Sequence, residues 1–293
     1  MPKFREKFSR NFFVSEDFIM FELNSNRKEK VIRNIGPDQR TALVVDNFYD
    51  NPSELKELAV QAEKWRRNEL IQGLPGERCY IETTEFKKNT KELFDKYCYD
   101  ESLWKHRMTY QMYEAHWDNA GFLCNVMNSD SLNANPFLSL PHQDAYSQPY
   151  QDDSGGYTDE HGVTRGIVGQ CTQSTFDYNR FGIVIFLNYP DECHGGTNLY
   201  SYKGQMTLPY NVMDYIDKPE NFDELVGMDH SKVWDYIHKW MRGGYDGVWK
   251  VEHEFEMVYN RMIMYESDVL HSPNADPTMF KDGYDRINQV VFL

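Results

Sequence analysis

The chain has 293 residues, 40% hydrophobic and 15% aromatic, with 31 basic against 46 acidic side chains for a net charge of −15. That length suffices for one large core, and that charge argues against a general nucleic-acid or anionic-membrane binder. The 20 Tyr and 18 Phe suit a β-rich enzyme with an aromatic-lined cavity better than a helical bundle.

The five cysteines, Cys79, Cys98, Cys124, Cys171 and Cys193, include no CxxC pair. Neither a disulfide framework nor a cysteine zinc site is indicated, and a reducing, cytoplasmic setting fits. The longest strongly apolar run, residues 181–187, is too short to cross a bilayer, and residues 1–20 lack the unbroken apolar stretch of a signal peptide. The partner expected is therefore a small-molecule or peptide substrate, with no nucleic acid and no membrane; oligomeric state is not legible.

Residues 1–40 alternate aromatic and polar side chains and break at Ile35-Gly36-Pro37-Asp38, a strand–turn–strand signal. Charge interleaved with aromatics at residues 3–13 reads as an edge strand or arm. Residues 41–48 form an apolar strand. Asn51-Pro52-Ser53-Glu54 opens a helix expected to run to about Arg67. A second helix is expected over residues 89–97, capped by Asn89, with Leu93, Phe94 and Tyr97 on one face.

From Trp104 the pattern turns to β, with alternation at 108–113 and a strand at 122–126. Residues 147–179 are polar and turn-rich, a length of loop that tends to be functional. Residues 181–187 and 197–202, separated by Gly195-Gly196, read as a β-hairpin with a loop. Residues 209–247 switch to helical composition, with Trp234, Ile237, Trp240 and Met241 as an apolar stripe. Strands return at 258–265 and 287–293. One domain, 1–293, is expected: N-terminal strands and supporting helices over 1–103, then a β core over 104–293 with insertions at about 147–179 and 203–257.

The chemistry concentrates on Leu-Pro-His142-Gln143-Asp144-Ala-Tyr146. A histidine and a carboxylate two apart on an extended strand share a face and offer nitrogen and oxygen to one metal ion. A third ligand, His271, follows an apolar strand in "MIMYESDVLHSP". Two histidines and one carboxylate leave open positions on iron(II). A second His-x-Asp, His116-Trp117-Asp118, has no such ordered neighbours. Arg286 opens the final apolar strand, where a guanidinium needs an anion and its planar fork suits a carboxylate; Asn288 shares its face. Gln143 and Tyr146 flank the ligands and are candidates to face the substrate. Asp268 is either a support for an imidazole or a turn cap.

His142-Gln-Asp144, "FGIVIFLNYPDECHGGTNLY", "MIMYESDVLHSP" and Arg286, together with "ALVVDNFYDNPSELKELA", resemble the iron(II)/2-oxoglutarate-dependent oxygenases, the prolyl-hydroxylase-like branch above all. The resemblance spans most of residues 41–293. It implies a mainly β chain with flanking helices around a double-stranded β-helix, the jelly roll of cupins. It also implies Fe(II) held by His142, Asp144 and His271, and 2-oxoglutarate with its distal carboxylate on Arg286. O2 is the oxidant, and the outcome is hydroxylation of an unactivated C–H bond with release of succinate and CO2. Asp at 144, rather than Gly or Ala, leaves no position for halide. The alternative is a cupin-type binding protein that uses the same barrel without turnover. A metal enzyme of another type is disfavoured by Arg286, since it needs no anchor for a distal carboxylate.

Overall fold

A computed structural model describes residues 21–61, 77–81, 84–105, 122–127, 140–144, 157–158, 164–165, 181–208, 230–243, 247–280 and 282–293. In chain order the strands are β1 (Lys28–Ile35), β2 (Arg40–Asp46), β3 (Glu77–Ile81), β4 (Phe122–Met127), β5 (Tyr157–Thr158), β6 (Thr164–Arg165), β7 (Phe181–Phe186), β8 (Gly196–Tyr202), β9 (Trp249–Glu256), β10 (Met262–Glu266), β11 (His271–Asn274) and β12 (Arg286–Phe292). The helices are α1 (Pro52–Gln61), α2 (Thr84–Cys98) and α3 (His230–Met241).

The strands form two antiparallel sheets and a small ribbon. The larger sheet runs β1-β2-β10-β7-β12-β4-β3, the smaller β11-β8-β9, and β5 pairs with β6. From β7 onward the chain passes repeatedly between the sheets: β7 lies in the larger, β8 and β9 in the smaller, β10 in the larger, β11 in the smaller and β12 in the larger. Residue 142 joins the smaller sheet through an antiparallel bridge to His271.

The two-residue period of a strand explains the layering. In β2, Leu43 and Val45 enter one apolar cluster and Ala42 and Val44 another; Ile183 and Ile185 alternate with Val184 and Phe186 in β7, and Met262 and Met264 with Ile263 and Tyr265 in β10. The first set packs with Leu55 and Ala59 of α1 and Phe86, Leu93 and Phe94 of α2. The second meets Leu199 of β8 and Phe255 of β9. Strands buried on both faces read as continuous apolar runs, which is why these segments are so visible in the sequence. On the far side of the smaller sheet, Tyr200, Tyr202 and Trp249 pack against Val233, Ile237, Trp240 and Met241 of α3. The layers are helices, large sheet, small sheet, helix, and the Trp stripe is core.

Three expectations need correcting. Strands β7 and β8 are not a hairpin: β7 pairs with β10 and β12, β8 with β9 and β11. Their loop crosses between sheets, so neighbours in sequence are not partners. Helix α2 begins at Thr84, with Glu85 in its first turn, so Asn89 is a mid-helix residue. Buried Phe86 and Thr90 continue the apolar face upstream of Leu93. The second insertion is shorter than 203–257, because β9 pairs along β8 as a core strand. Its sequence WKVEHEFE buries only Trp249 and Phe255, and so polar a strand is easily read as loop.

Candidate metal centre

Three backbone hydrogen bonds bring His142, Asp144 and His271 together. His142 and His271 exchange both backbone hydrogen bonds, each at 2.9 Å, and the Asp144 N–H donates to the Ser267 carbonyl at 2.8 Å. The pairing sets the two imidazoles side by side, with ring centroids 4.4 Å apart. Asp144 Oδ2 lies 3.1 Å from His271 Nε2, and Asp144 Oδ1 lies 3.7 Å from His142 Nε2. The ligand atoms of His142, Asp144 and His271 all fall within 4.8 Å of one another, a spacing able to hold one metal ion.

Each imidazole is oriented by its own turn. His271 Nδ1 lies 2.8 Å from the Val269 carbonyl and His142 Nδ1 3.3 Å from the Leu140 carbonyl. A carbonyl only accepts, so Nδ1 carries the hydrogen and Nε2 turns toward Asp144. This is how metal-ligating histidines are commonly held. Burial works against a charged His271. Asp144, through its charge and a hydrogen bond, and the Val269 carbonyl more than offset that, so the pKa stands above its ordinary value. The Asp144 carboxylate thus favours positive charge at His271 Nε2.

Arg286 is 4% exposed, and its Nε and Nη1 have no hydrogen-bond partner among the described residues. Burial lowers its pKa to about 10, with only the Tyr265 charge pulling upward. Arg40 makes the contrast. It is 1% exposed, yet Glu266 lies 2.7 Å and Asp268 3.0 Å from it. Burial disfavours its charge, but the two carboxylates overcome it and raise the pKa. One buried guanidinium is neutralised by two carboxylates; the other has no carboxylate partner among the described residues, and an unpaired buried charge is costly.

Tyr265 links this cation to the ligand cluster. Its ring lies 4.8 Å from that of His271. Burial pushes the phenol well above its usual pKa, Asp144 adding to the effect and Arg286 opposing it. The sequence marks Tyr265 only as a strand residue, yet it is the sole phenol in a run of aliphatic side chains entering the ligand turn. Asn288 is buried and shares the Arg286 face by strand alternation.

Other candidates fall elsewhere. Gln143 accepts from Leu208 N at 2.7 Å and donates to the Leu208 carbonyl at 3.1 Å, so its amide ties the ligand strand to a neighbouring segment. A residue between two same-face ligands projects from the other face. Asp268 is a partner of Arg40. Tyr146, His116 and Asp118 lie outside the described residues.

A family model described as a family of unknown function (DUF6445) matches residues 168–282. The match includes His271 and leaves out His142, Asp144 and Arg286. No curated protein and no solved structure matches the chain.

Proposed function

We propose that this chain is a non-haem iron(II) and 2-oxoglutarate-dependent dioxygenase that hydroxylates an unactivated C–H bond of an amino acid, peptide or small metabolite. The observation carrying the reading is a pair of features joined by Tyr265. One is a two-histidine, one-carboxylate cluster with both Nε2 atoms toward the carboxylate; the other is a buried Arg286 with no carboxylate partner among the described residues. Supporting the fold behind it, β4, the residue-142 segment and β7 to β12 are divided between two antiparallel sheets, the chain crossing from one to the other at every step except β8 to β9, a pattern compatible with a double-stranded β-helix.

The donor set fits iron(II). Two imidazoles and one carboxylate leave positions open for a cosubstrate and oxygen, whereas a closed structural zinc site takes four protein ligands. His142, Asp144 and His271 would hold the metal, and Arg286 would take the distal carboxylate of 2-oxoglutarate in charge-assisted hydrogen bonds. When bound, the iron, cosubstrate and oxygen supply the oxidising power for hydroxylation, with succinate and CO2 released. The chain's own work is placement. Val269 and Leu140 carbonyls fix the imidazole faces, Tyr265 lies between the ligand cluster and the cation, and Phe186, whose ring centroid lies 5.7 Å from the Arg286 guanidinium carbon, provides an apolar wall that excludes water.

The test is succinate formation by the full chain supplied with iron(II), 2-oxoglutarate and oxygen. Candidate amino acids and peptides are screened by mass spectrometry for a gain of one oxygen. The proposal predicts 2-oxoglutarate-dependent succinate in the wild type and none in His271→Ala. Binding of 2-oxoglutarate with no succinate under any substrate would overturn it in favour of a binding protein.

A further inference from the structure

Main-chain contacts tie the residues of the metal centre to two short segments. One is the turn between β10 and β11. Its Ser267 carbonyl accepts the Asp144 N–H and its Val269 carbonyl faces His271 Nδ1. The other is residues 206–208, where Leu208 pairs with the Gln143 amide through both its N–H and its carbonyl. The Met206 carbonyl also accepts from Leu270 N at 2.8 Å, stitching the segments to each other.

One side chain grips both. Arg40, at the start of β2, donates from Nη1 to Glu266 at 2.7 Å and to Asp268 at 3.1 Å, and from Nη2 to Asp268 at 3.0 Å and to the Thr207 hydroxyl. Glu266 and Asp268 bracket Ser267, and Thr207 sits between Met206 and Leu208. The guanidinium thus fixes the two carbonyls that orient Asp144 and His271 and the main chain that anchors Gln143. A buried ion cluster is no better for stability than well-packed apolar residues of the same volume. What this one adds is a fixed place for each of its members, and those members carry the ligand turn.

Resting on the metal-centre reading above, we infer that Arg40 is a positioning residue for that centre, acting through Glu266, Asp268 and Thr207 to hold His142, Asp144 and His271 in ligating register. The planar fork matters here, because one guanidinium addresses three side chains on two segments and a lysine ammonium cannot reproduce that geometry.

The test uses cobalt(II) alone as probe on the full chain, reading affinity by titration and coordination from the visible d–d bands, with thermal midpoints measured alongside. Arg40→Met and Asp268→Asn are expected to weaken cobalt binding about ten-fold or more and to alter the bands, with Arg40→Lys recovering only part. Asp268→Asn, which keeps the side-chain shape, carries the test if Arg40→Met fails to fold. Asn260→Ala breaks buried hydrogen bonds to Tyr49 away from the turn; it is expected to lose thermal stability with cobalt affinity unchanged. Asp268→Asn and Arg40→Lys binding cobalt with wild-type affinity and spectrum, while losing stability, would overturn the inference alone. A wild type that binds no cobalt, or a His271→Ala variant that binds it equally well, would overturn the metal-centre reading and the inference together.

Discussion

Two buried arginines of one chain should answer the same substitution with opposite signs. Arg286 carries a pKa of about 10 because burial disfavours its charge, a shift that corresponds to about 3 kcal/mol held against the ligand-free fold. Arg286→Met is therefore expected to raise the thermal midpoint of the ligand-free chain by a few degrees, while abolishing the further rise that 2-oxoglutarate is expected to give the wild type. Arg40→Met leaves Glu266 and Asp268 buried without their cation, and is expected to cost about 3–5 kcal/mol. Differential scanning calorimetry of the two variants checks both signs. Asn188 gives a milder case. Its amide donates to the Asp285 carbonyl at 2.7 Å and accepts from Ile287 N at 2.6 Å, gripping the main chain on both sides of Arg286. Asn188→Ala takes the partner from the buried Ile287 N–H and from the part-buried Asp285 carbonyl, at about 1–3 kcal/mol for the buried group. Its expected signature in calorimetric titration is weaker 2-oxoglutarate binding with cobalt affinity unchanged. At this scale the ligands were legible because His142 and Asp144 share a strand face and His271 and Arg286 follow in a recognisable order. Arg40 was not, because its partners lie 226 and 228 residues away along the chain and only the pairing of β2 with β10 brings them together.

Among elements, the entry into β8 is the most constrained. Gly195 has φ +71° and Gly196 φ +152°, and a Cβ on either would lie 1.8 Å from a backbone oxygen, that of Asn274 and of Phe255 respectively. Both neighbouring strands thus approach too closely for any side chain. Gly196→Ala is expected to break the β8 register, and with it the Leu199–His271 pairing, giving insoluble or cobalt-incompetent protein by gel filtration and titration. Helix α2 is tied to β1 by Glu29, which accepts from Lys96 and Tyr97. Burial works against the Glu29 charge, but these two hydrogen bonds and the Lys96 and Arg27 charges overcome it and lower the pKa. A depressed carboxylate stabilises above its unfolded pKa, and that contribution is lost as pH falls through the folded value. Glu29→Gln should therefore cost up to about 1 kcal/mol at neutral pH, as partly exposed pairs do, and progressively less as Glu29 becomes protonated; urea melts in a series of buffers from pH 7 downward follow the loss. The sequence made the doubly buried strands plain through unbroken apolar runs. It concealed β9, whose outer positions are charged, and it joined β7 to β8 because nearness along the chain says nothing about which sheet a strand enters.

In the whole molecule, two sheets enclose an apolar layer, and the ligand cluster and Arg286 meet that layer beside Tyr265. Helices α1 and α2 pack on the outer face of the larger sheet and α3 on that of the smaller. None of the helices described is long and apolar enough to cross a membrane. The mainly β architecture was readable from strand patterning; the division of the strands between two sheets depends on pairings that no local pattern encodes. Occupation of the site should act on the molecule as a unit, because a ligand bound only by the folded state stabilises it by mass action, about 2.7 kcal/mol at a hundred times its dissociation constant. Metal and 2-oxoglutarate together are accordingly expected to raise the thermal midpoint more than either alone. The most direct measurement is anaerobic titration of the full chain with iron(II) and 2-oxoglutarate, followed in the visible region. The account predicts a weak metal-to-ligand charge-transfer band that is lost in His142→Ala and in Asp144→Ala. A band left unchanged in both variants, or no band in the wild type, would contradict it.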